Sequence, residues 1–125
     1  GGDDALYATL YYLRVLDAAG LSPSRALSTV PAYPITPDIR VACPPEEADA
    51  ILQELERGLN DQPIDRLDGV RARFDHGWAL ARRSVTEPLI TLRFEAHTEE
   101  ELARSQERVR VASPRLARLL AEAGL

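Results

Sequence analysis

The residues with the most chemistry in the shortest span are Arg82, Arg83, Ser84, Thr86 and Glu87, within the stretch RRSVTEPL. A guanidinium offers a planar fork of charged donors that matches an oxyanion. Ser84 and Thr86 each add one O–H donor, and the backbone N–H groups of a loop add more. Together they can cradle an anion, a phosphate above all. The same residues also make an ordinary polar turn with a surface Arg–Glu pair, which contributes little. Spacing alone leaves both readings open.

The remaining reactive side chains form no second constellation in the linear sequence. His76 sits in a turn between Asp75 and Gly77, and His97 precedes Thr98. Neither stands at ligand spacing from a cysteine or a carboxylate, so no metal ligand is assigned. Glu99, Glu100 and Glu101 open a predicted helix, where the dipole and the cap already account for them. Cys43 is the sole cysteine and precedes two prolines. It can form no intrachain disulfide, nothing nearby activates a thiolate, and it is read as structural. There is no Ser–His–Asp arrangement, glycine-rich phosphate loop or HExxH, and no catalytic residue is assigned.

The elements that must position RRSVTEPL follow from periodicity. Val70, Ala72 and Phe74 alternate with Arg71 and Arg73, and Asp75-His76-Gly77 makes a turn, so this region reads as a hairpin. Trp78 is placed in the core on the face shared with Leu80. In LITLRFEA, Ile90, Leu92 and Phe94 point inward. RRSVTEPL therefore joins two strands. A short strand, DIRVACP, precedes an amphipathic helix with Ala48, Ile51, Leu52, Leu55 and Leu59 on one side. Thr98 and Glu101 form a capping box for the next helix, and Ser113-Pro114 opens the last one. The predicted fold is a small α+β domain, a four-stranded antiparallel sheet with helices on one face.

Upstream, Asp3 or Asp4 caps a helix with Leu6, Leu10, Leu13 and Leu16 at helical spacing, and Gly20 ends it. A proline-rich stretch follows, with Pro31, Pro34 and Pro37 opposing both helix and sheet interior. The expected division is a separate N-terminal helical segment over 1–30, a linker over 31–38 and the domain over 39–125. A lone amphipathic helix is marginal in water, so its partners are expected outside this chain.

The 125 residues suffice for one core, and a net charge of -5 argues against non-specific binding to nucleic acid. No apolar run is long enough to span a membrane, and no basic start precedes an apolar stretch, so the chain is expected to be cytoplasmic. All the basic residues are arginine.

DGVRARFDHGWALARRSVTEPLITLRFEA resembles the C-terminal domain of the α-D-phosphohexomutases, in their phosphomannomutase/phosphoglucomutase branch. That family carries a phosphate loop of the form R-x-S-(N or G)-T-(E or T)-P between two strands. Here it reads Arg82, Arg83, Ser84, Val85, Thr86, Glu87, Pro88. DDALYATLYYLRVL resembles the helix that closes the family's third domain, and PAYPITPDIRV the connection out of it. The resemblance implies a fragment of a four-domain isomerase that moves a phosphoryl group between O1 and O6 of a hexose. It implies a fold like that of the TATA-box-binding protein. It implies that Arg82, Ser84 and Thr86, with the backbone at Val85, bind the phosphate that is not reacting. The implied ligand is a mannose or glucose 1- or 6-phosphate, and the implied partners are the remaining domains. Mg2+ is expected in the parent enzyme and no cofactor in this fragment, which alone is expected to be inactive. Val85 departs from the family pattern: a β-branched residue tolerates positive φ poorly, and the asparagine donor is lost. The competing reading is a free-standing α+β regulatory or interaction domain.

Overall fold

Two strands joined by the RRSVTEPL loop form the centre of the structure, a computed structural model that describes residues 4–125. The first of them, β4, spans Gly77–Arg83, and the second, β5, spans Leu89–Ala96. On the outer side of β5 lies β1 (Ile39–Ala42), and on the outer side of β4 lies β3 (Val70–Phe74), followed by β2 (Ile64–Asp65). The order β1-β5-β4-β3-β2 makes a five-stranded sheet in which every pair is antiparallel. The sheet thus has one strand more than the four read from sequence. The addition, β2, is only two residues long, too short for alternation to show.

Helices α3 (Pro45–Gly58), α4 (Glu99–Ala112) and α5 (Pro114–Glu122) supply the other layer. Their Ala48, Ile51, Leu55, Leu102, Val109, Leu116 and Leu120 share one core with Val41, Val70, Ala72, Ala79, Ala81, Ile90, Leu92 and Phe94 of the sheet. The opposite face follows from the register. Arg40 and Arg82 both lie opposite Thr91, Arg71 and Arg93 both lie opposite Leu80, and Arg73 and Glu95 both lie opposite Trp78.

Trp78 is therefore not a core residue, contrary to the sequence reading. In β4 the buried positions are Ala79 and Ala81. Trp78 is half-buried on the outer face, where its indole N–H donates to Glu95 at 3.2 Å and the Arg71 guanidinium lies 4.7 Å above its ring. Size misled the assignment. The large residues of β4 face out and two alanines face in, because the bulky side chains of β5 and the helices already fill that layer.

The chain divides into two compact units, the first ending at Ala32 and the second spanning Tyr33–Leu125. In the first, α1 (Ala5–Ala19) and α2 (Pro23–Leu27) form where the caps predicted them. The Asp4 carboxylate accepts from Tyr7 N–H, and Gly20 takes the left-handed conformation at φ 62°. Asp3 lies outside the described residues. Leu6, Leu10 and Leu13 of α1 are exposed, and Leu16 is buried. Part of the stretch expected as linker belongs to the sheet edge. Thr36 N–H donates to Phe94 O at 2.9 Å, Phe94 N–H to Thr36 Oγ1 at 3.0 Å and Ala96 N–H to Pro34 O at 3.1 Å. Prolines at 34 and 37 are compatible with an edge because the sheet needs only one side of it. No described helix is long and apolar enough to cross a membrane.

Two local devices hold the second unit. Gly69, just before β3, has φ 85°, and a Cβ there would lie 2.3 Å from Ala81 O and 2.8 Å from Arg82 Cα. At the α4–α5 corner the fully buried Ser113 accepts from Leu116 N–H and donates to Glu54 Oε2 at 2.7 Å, while Arg115 Nε donates to Glu54 Oε1 at 2.8 Å. Burial pushes the Glu54 carboxyl up, but the Ser113 and Arg115 hydrogen bonds outweigh it and hold it below its usual range.

Gly69→Ala forces an L residue into a left-handed conformation worth about 1–3 kcal/mol and adds a backbone clash. It should lower the urea midpoint at unchanged m value. For Glu54 the folded pKa is depressed. Its stabilisation is complete above the ordinary glutamate value of about 4.3 and is lost as pH falls through the folded value. Glu54→Gln should therefore lower the thermal midpoint at neutral pH, and the gap to the parent chain should close in acid.

Candidate phosphate-binding site

Alternation along β4 separates two arginines that are neighbours in sequence. Arg83 pairs with Ile90, whose side chain is in the core, and it reaches the helix layer, where its Nε lies 3.4 Å from Asp49 of α3. Arg82 points to the open face, opposite Thr91, and Arg40 of β1 lies on the other side of the same threonine. The open face thus presents Arg82 and Arg40 side by side at the loop end of the sheet. Arg40 was not singled out from sequence, because its relation to the loop exists only through the β1–β5 pairing.

The loop itself is tied down at its ends and free in the middle. Ser84 N–H donates to Leu89 O at 2.9 Å, Leu89 N–H to Glu87 O at 2.8 Å, and Cys43 N–H to Pro88 O at 2.9 Å. Ser84 Oγ accepts from Glu87 N–H at 3.2 Å, which leaves its own O–H available to donate. Among the described residues, no hydrogen bond within the chain takes up the N–H groups of Val85 or Thr86. Two successive free N–H groups beside guanidinium forks are of the type that can make an anion-binding concavity. Arg82, Ser84, Val85 and Thr86 line an open groove of about 320 Å³ together with Arg40 and Thr91.

Val85 is not strained. No described residue other than glycine has positive φ, and the Val85 side chain stands 97% exposed. A β-branched residue fits here because the loop does not call for the left-handed region. Its side chain offers no donor, so position 85 has only its backbone to offer a ligand.

The cations of the groove are already matched. Arg82 Nη1 lies 3.0 Å from Asp68 Oδ2, and Arg40 pairs with Glu87 of the loop itself. Nearby, Arg93 Nη1 lies 3.4 Å from Asp38 Oδ1. These pairs are largely exposed, and an exposed pair of this kind contributes about 0–1 kcal/mol. Pairs this weak can orient the forks and still yield to a more highly charged partner.

The other sequence candidates lie elsewhere. Cys43 is buried, and burial, with Glu47 nearby, pushes its thiol up, which keeps it protonated and unreactive. His76 and His97 are at the far end of the β4–β5 ladder from the loop, where the structure brings them together with Glu101.

The phosphoglucomutase/phosphomannomutase C-terminal domain family matches residues 39–112. The chain is 37% identical over 106 residues to a phosphomannomutase/phosphoglucomutase of Pseudomonas aeruginosa, covering 83% of this chain and 23% of that protein. It is 36% identical over 110 residues to a phosphoglucomutase of Neisseria meningitidis, covering 85% of this chain and 24% of that protein. It is 37% identical over 113 residues to a probable phosphoglucosamine mutase of Methanothermobacter thermautotrophicus, covering 86% of this chain and 25% of that protein. The crystal structure of a phosphoglucomutase/phosphomannomutase family protein from Burkholderia thailandensis superimposes with a TM-score of 0.71 at 30% identity, over 90% of this chain and 24% of that one. The chain spans about a quarter of the length of these relatives. With the family matched from β1 through α4, and the same fold in a solved member, the chain belongs to the phosphoglucomutase/phosphomannomutase C-terminal domain family.

Proposed function

We propose that this domain is the phosphate clamp of a phosphohexomutase, the part that grips the phosphate not undergoing transfer while the rest of the enzyme moves a phosphoryl group between O1 and O6 of a hexose. The observation that carries the reading is the open-face row of Arg82 and Arg40 beside the free N–H groups of Val85 and Thr86. Arg82 supplies the charged fork, Ser84 and Thr86 supply hydroxyl donors, and Val85 supplies its backbone. Each charge-assisted bond contributes about 1.5–3 kcal/mol, less the cost of displacing the resident carboxylates.

The relatives are named for three different sugars, mannose, glucose and glucosamine. A loop built from generic phosphate donors suits that range, because it reads the group the substrates have in common. It also suits a bisphosphorylated intermediate that must present either end to the transferring residue, since one set of donors accepts both phosphates. In the intact enzyme, closure of this domain over the substrate excludes water and fixes the reacting end. The fragment alone has no transferase activity on this reading. On this reading Mg2+ is held by another domain of the parent enzyme; the His76, His97 and Glu101 cluster, two imidazoles with a carboxylate, does not suit an ion that takes oxygen ligands.

Amide NMR spectra of the 125-residue chain during addition of glucose 1-phosphate or mannose 6-phosphate test the clamp. Saturable shifts should centre on 82–88 with a dissociation constant on the order of millimolar. Arg82→Ala should weaken binding by about tenfold or more. Asp68→Asn, which removes the carboxylate competing for Arg82, should strengthen it by roughly two- to fivefold. Shifts spread evenly over the domain, or unchanged in Arg82→Ala, would count against the clamp.

A further inference from the structure

Two histidines separated by twenty positions in the sequence become direct neighbours through the β4–β5 register. Gly77 pairs with Ala96, and the ladder runs one step further, because His97 N–H donates to His76 O at 2.9 Å. The imidazoles therefore stand side by side, with ring centroids 5.6 Å apart. The Tyr33 ring, 4.8 Å away and nearly parallel, packs on His97 and fixes its orientation.

The third member comes from the start of α4. Thr98 Oγ1 accepts from Glu101 N–H at 3.2 Å, which is half of the capping box expected from sequence. In the other half the Glu101 carboxylate would return to Thr98 N–H. Instead, Oε1 lies 3.8 Å from His76 Nε2, and Oε2 is buried with no hydrogen-bond partner among the described residues. A carboxylate oxygen buried without a donor is costly. Beside two imidazoles, the species that would satisfy it is a cation.

We propose that His76, His97 and Glu101 form a binding site for a divalent transition-metal ion of the Zn2+ class. One ligand atom from each residue already lies within 4.8 Å of the others. A tetrahedral zinc with ligands near 2.0–2.1 Å spaces them by about 3.3 Å. The required closure is a small side-chain rotation, and the His76 side chain, 59% exposed, is free to make it. Two nitrogens and one carboxylate suit zinc and disfavour magnesium or calcium. The fourth position opens into a cavity of about 300 Å³ lined by Gln62, Asp75, Arg104 and Arg108. Of its two cations, Arg108 is already paired with Asp61 at 2.7 Å, and Asp75 adds a compensating carboxylate. The site lies at the opposite end of β4 from the phosphate loop, about 20 Å away at a strand rise of 3.3 Å per residue, so it stands independently of the clamp. A bound ion would staple the β3–β4 turn to the first turn of α4.

Calorimetric titration of the metal-free 125-residue chain with Zn2+ alone tests the site, with imidazole 15N spectra recorded in parallel. One equivalent should bind with a dissociation constant on the order of micromolar, shifting the His76 and His97 resonances together and raising the thermal midpoint. Co2+ in its place should give the visible absorption of a four-coordinate centre. His97→Gln and Glu101→Gln should each weaken binding by at least about tenfold, the lower end of what even an outer partner of a ligand contributes. Glu101→Gln keeps the backbone N–H that Thr98 caps, so its circular dichroism controls for folding. Cys43→Ser should leave zinc affinity unchanged. No saturable binding below about 1 mM Zn2+, or affinity unaltered in both His97→Gln and Glu101→Gln, would overturn the proposal.

Discussion

The antiparallel register of β4 against β5 is the constraint on which the rest of this domain depends. Side chains on a strand alternate between faces, so a slip of one residue would turn every face over. With Ala81 opposite Leu92, the small residues of β4 meet the large residues of β5 under the helices. The same register sends Arg82 to the open face and Arg83 to Asp49 on α3. Core packing and the residues presented on the open face are thus fixed by one choice. Burying two alanines and a row of branched residues costs little strain, whereas the slipped pairing would bury Trp78, Leu80 and the Arg82 guanidinium. A buried unpaired charge is prohibitive. Gly69, with no room for a Cβ beside Ala81 O and Arg82 Cα, holds β3 close to the same point.

The open groove is not a bare cationic patch. Asp68 and Glu87 occupy Arg82 and Arg40, and the domain as a whole carries excess negative charge. Internal pairing offsets the repulsion between two forks across Thr91, Arg40 through Glu87 of the loop and Arg82 through Asp68 beside β3. A phosphate carrying nearly two charges and three acceptor oxygens competes well against single exposed carboxylates. A site of this construction holds its ligand weakly while open. That suits the proposed clamp, which would release and regrip a substrate during each cycle.

Local signals in the sequence were sufficient for much of this architecture. The helix starts at Asp4, Ser22, Thr98 and Ser113 are set by side-chain caps within three residues, and the inward face of β5 follows from plain alternation. What escaped depended on pairing between distant segments. Trp78 was misplaced because large apolar residues are presumed to face the core, while the neighbouring strand had already filled it. The two-residue β2 leaves no periodic trace, and part of the proline-rich stretch joins the sheet edge through Thr36 rather than through any pattern of its own. Arg40 and the His76–His97–Glu101 cluster are assembled by cross-strand register and a helix start, so no linear spacing marks them. The RRSVTEPL stretch was chemically ambiguous until its flanks suggested a family that matches Arg82 rather than Arg83, and the structure places the two arginines on opposite faces of the sheet.

The central claim is that Arg82 and the free loop N–H groups take a phosphate in place of Asp68. A crystal structure of the chain with glucose 1-phosphate at saturating concentration addresses it most directly. The account predicts phosphate oxygens within about 2.7–3.1 Å of the Arg82 guanidinium and the N–H groups of Val85 and Thr86, with the Arg82–Asp68 pair broken. Phosphate bound elsewhere on the sheet, with that pair intact, would contradict it.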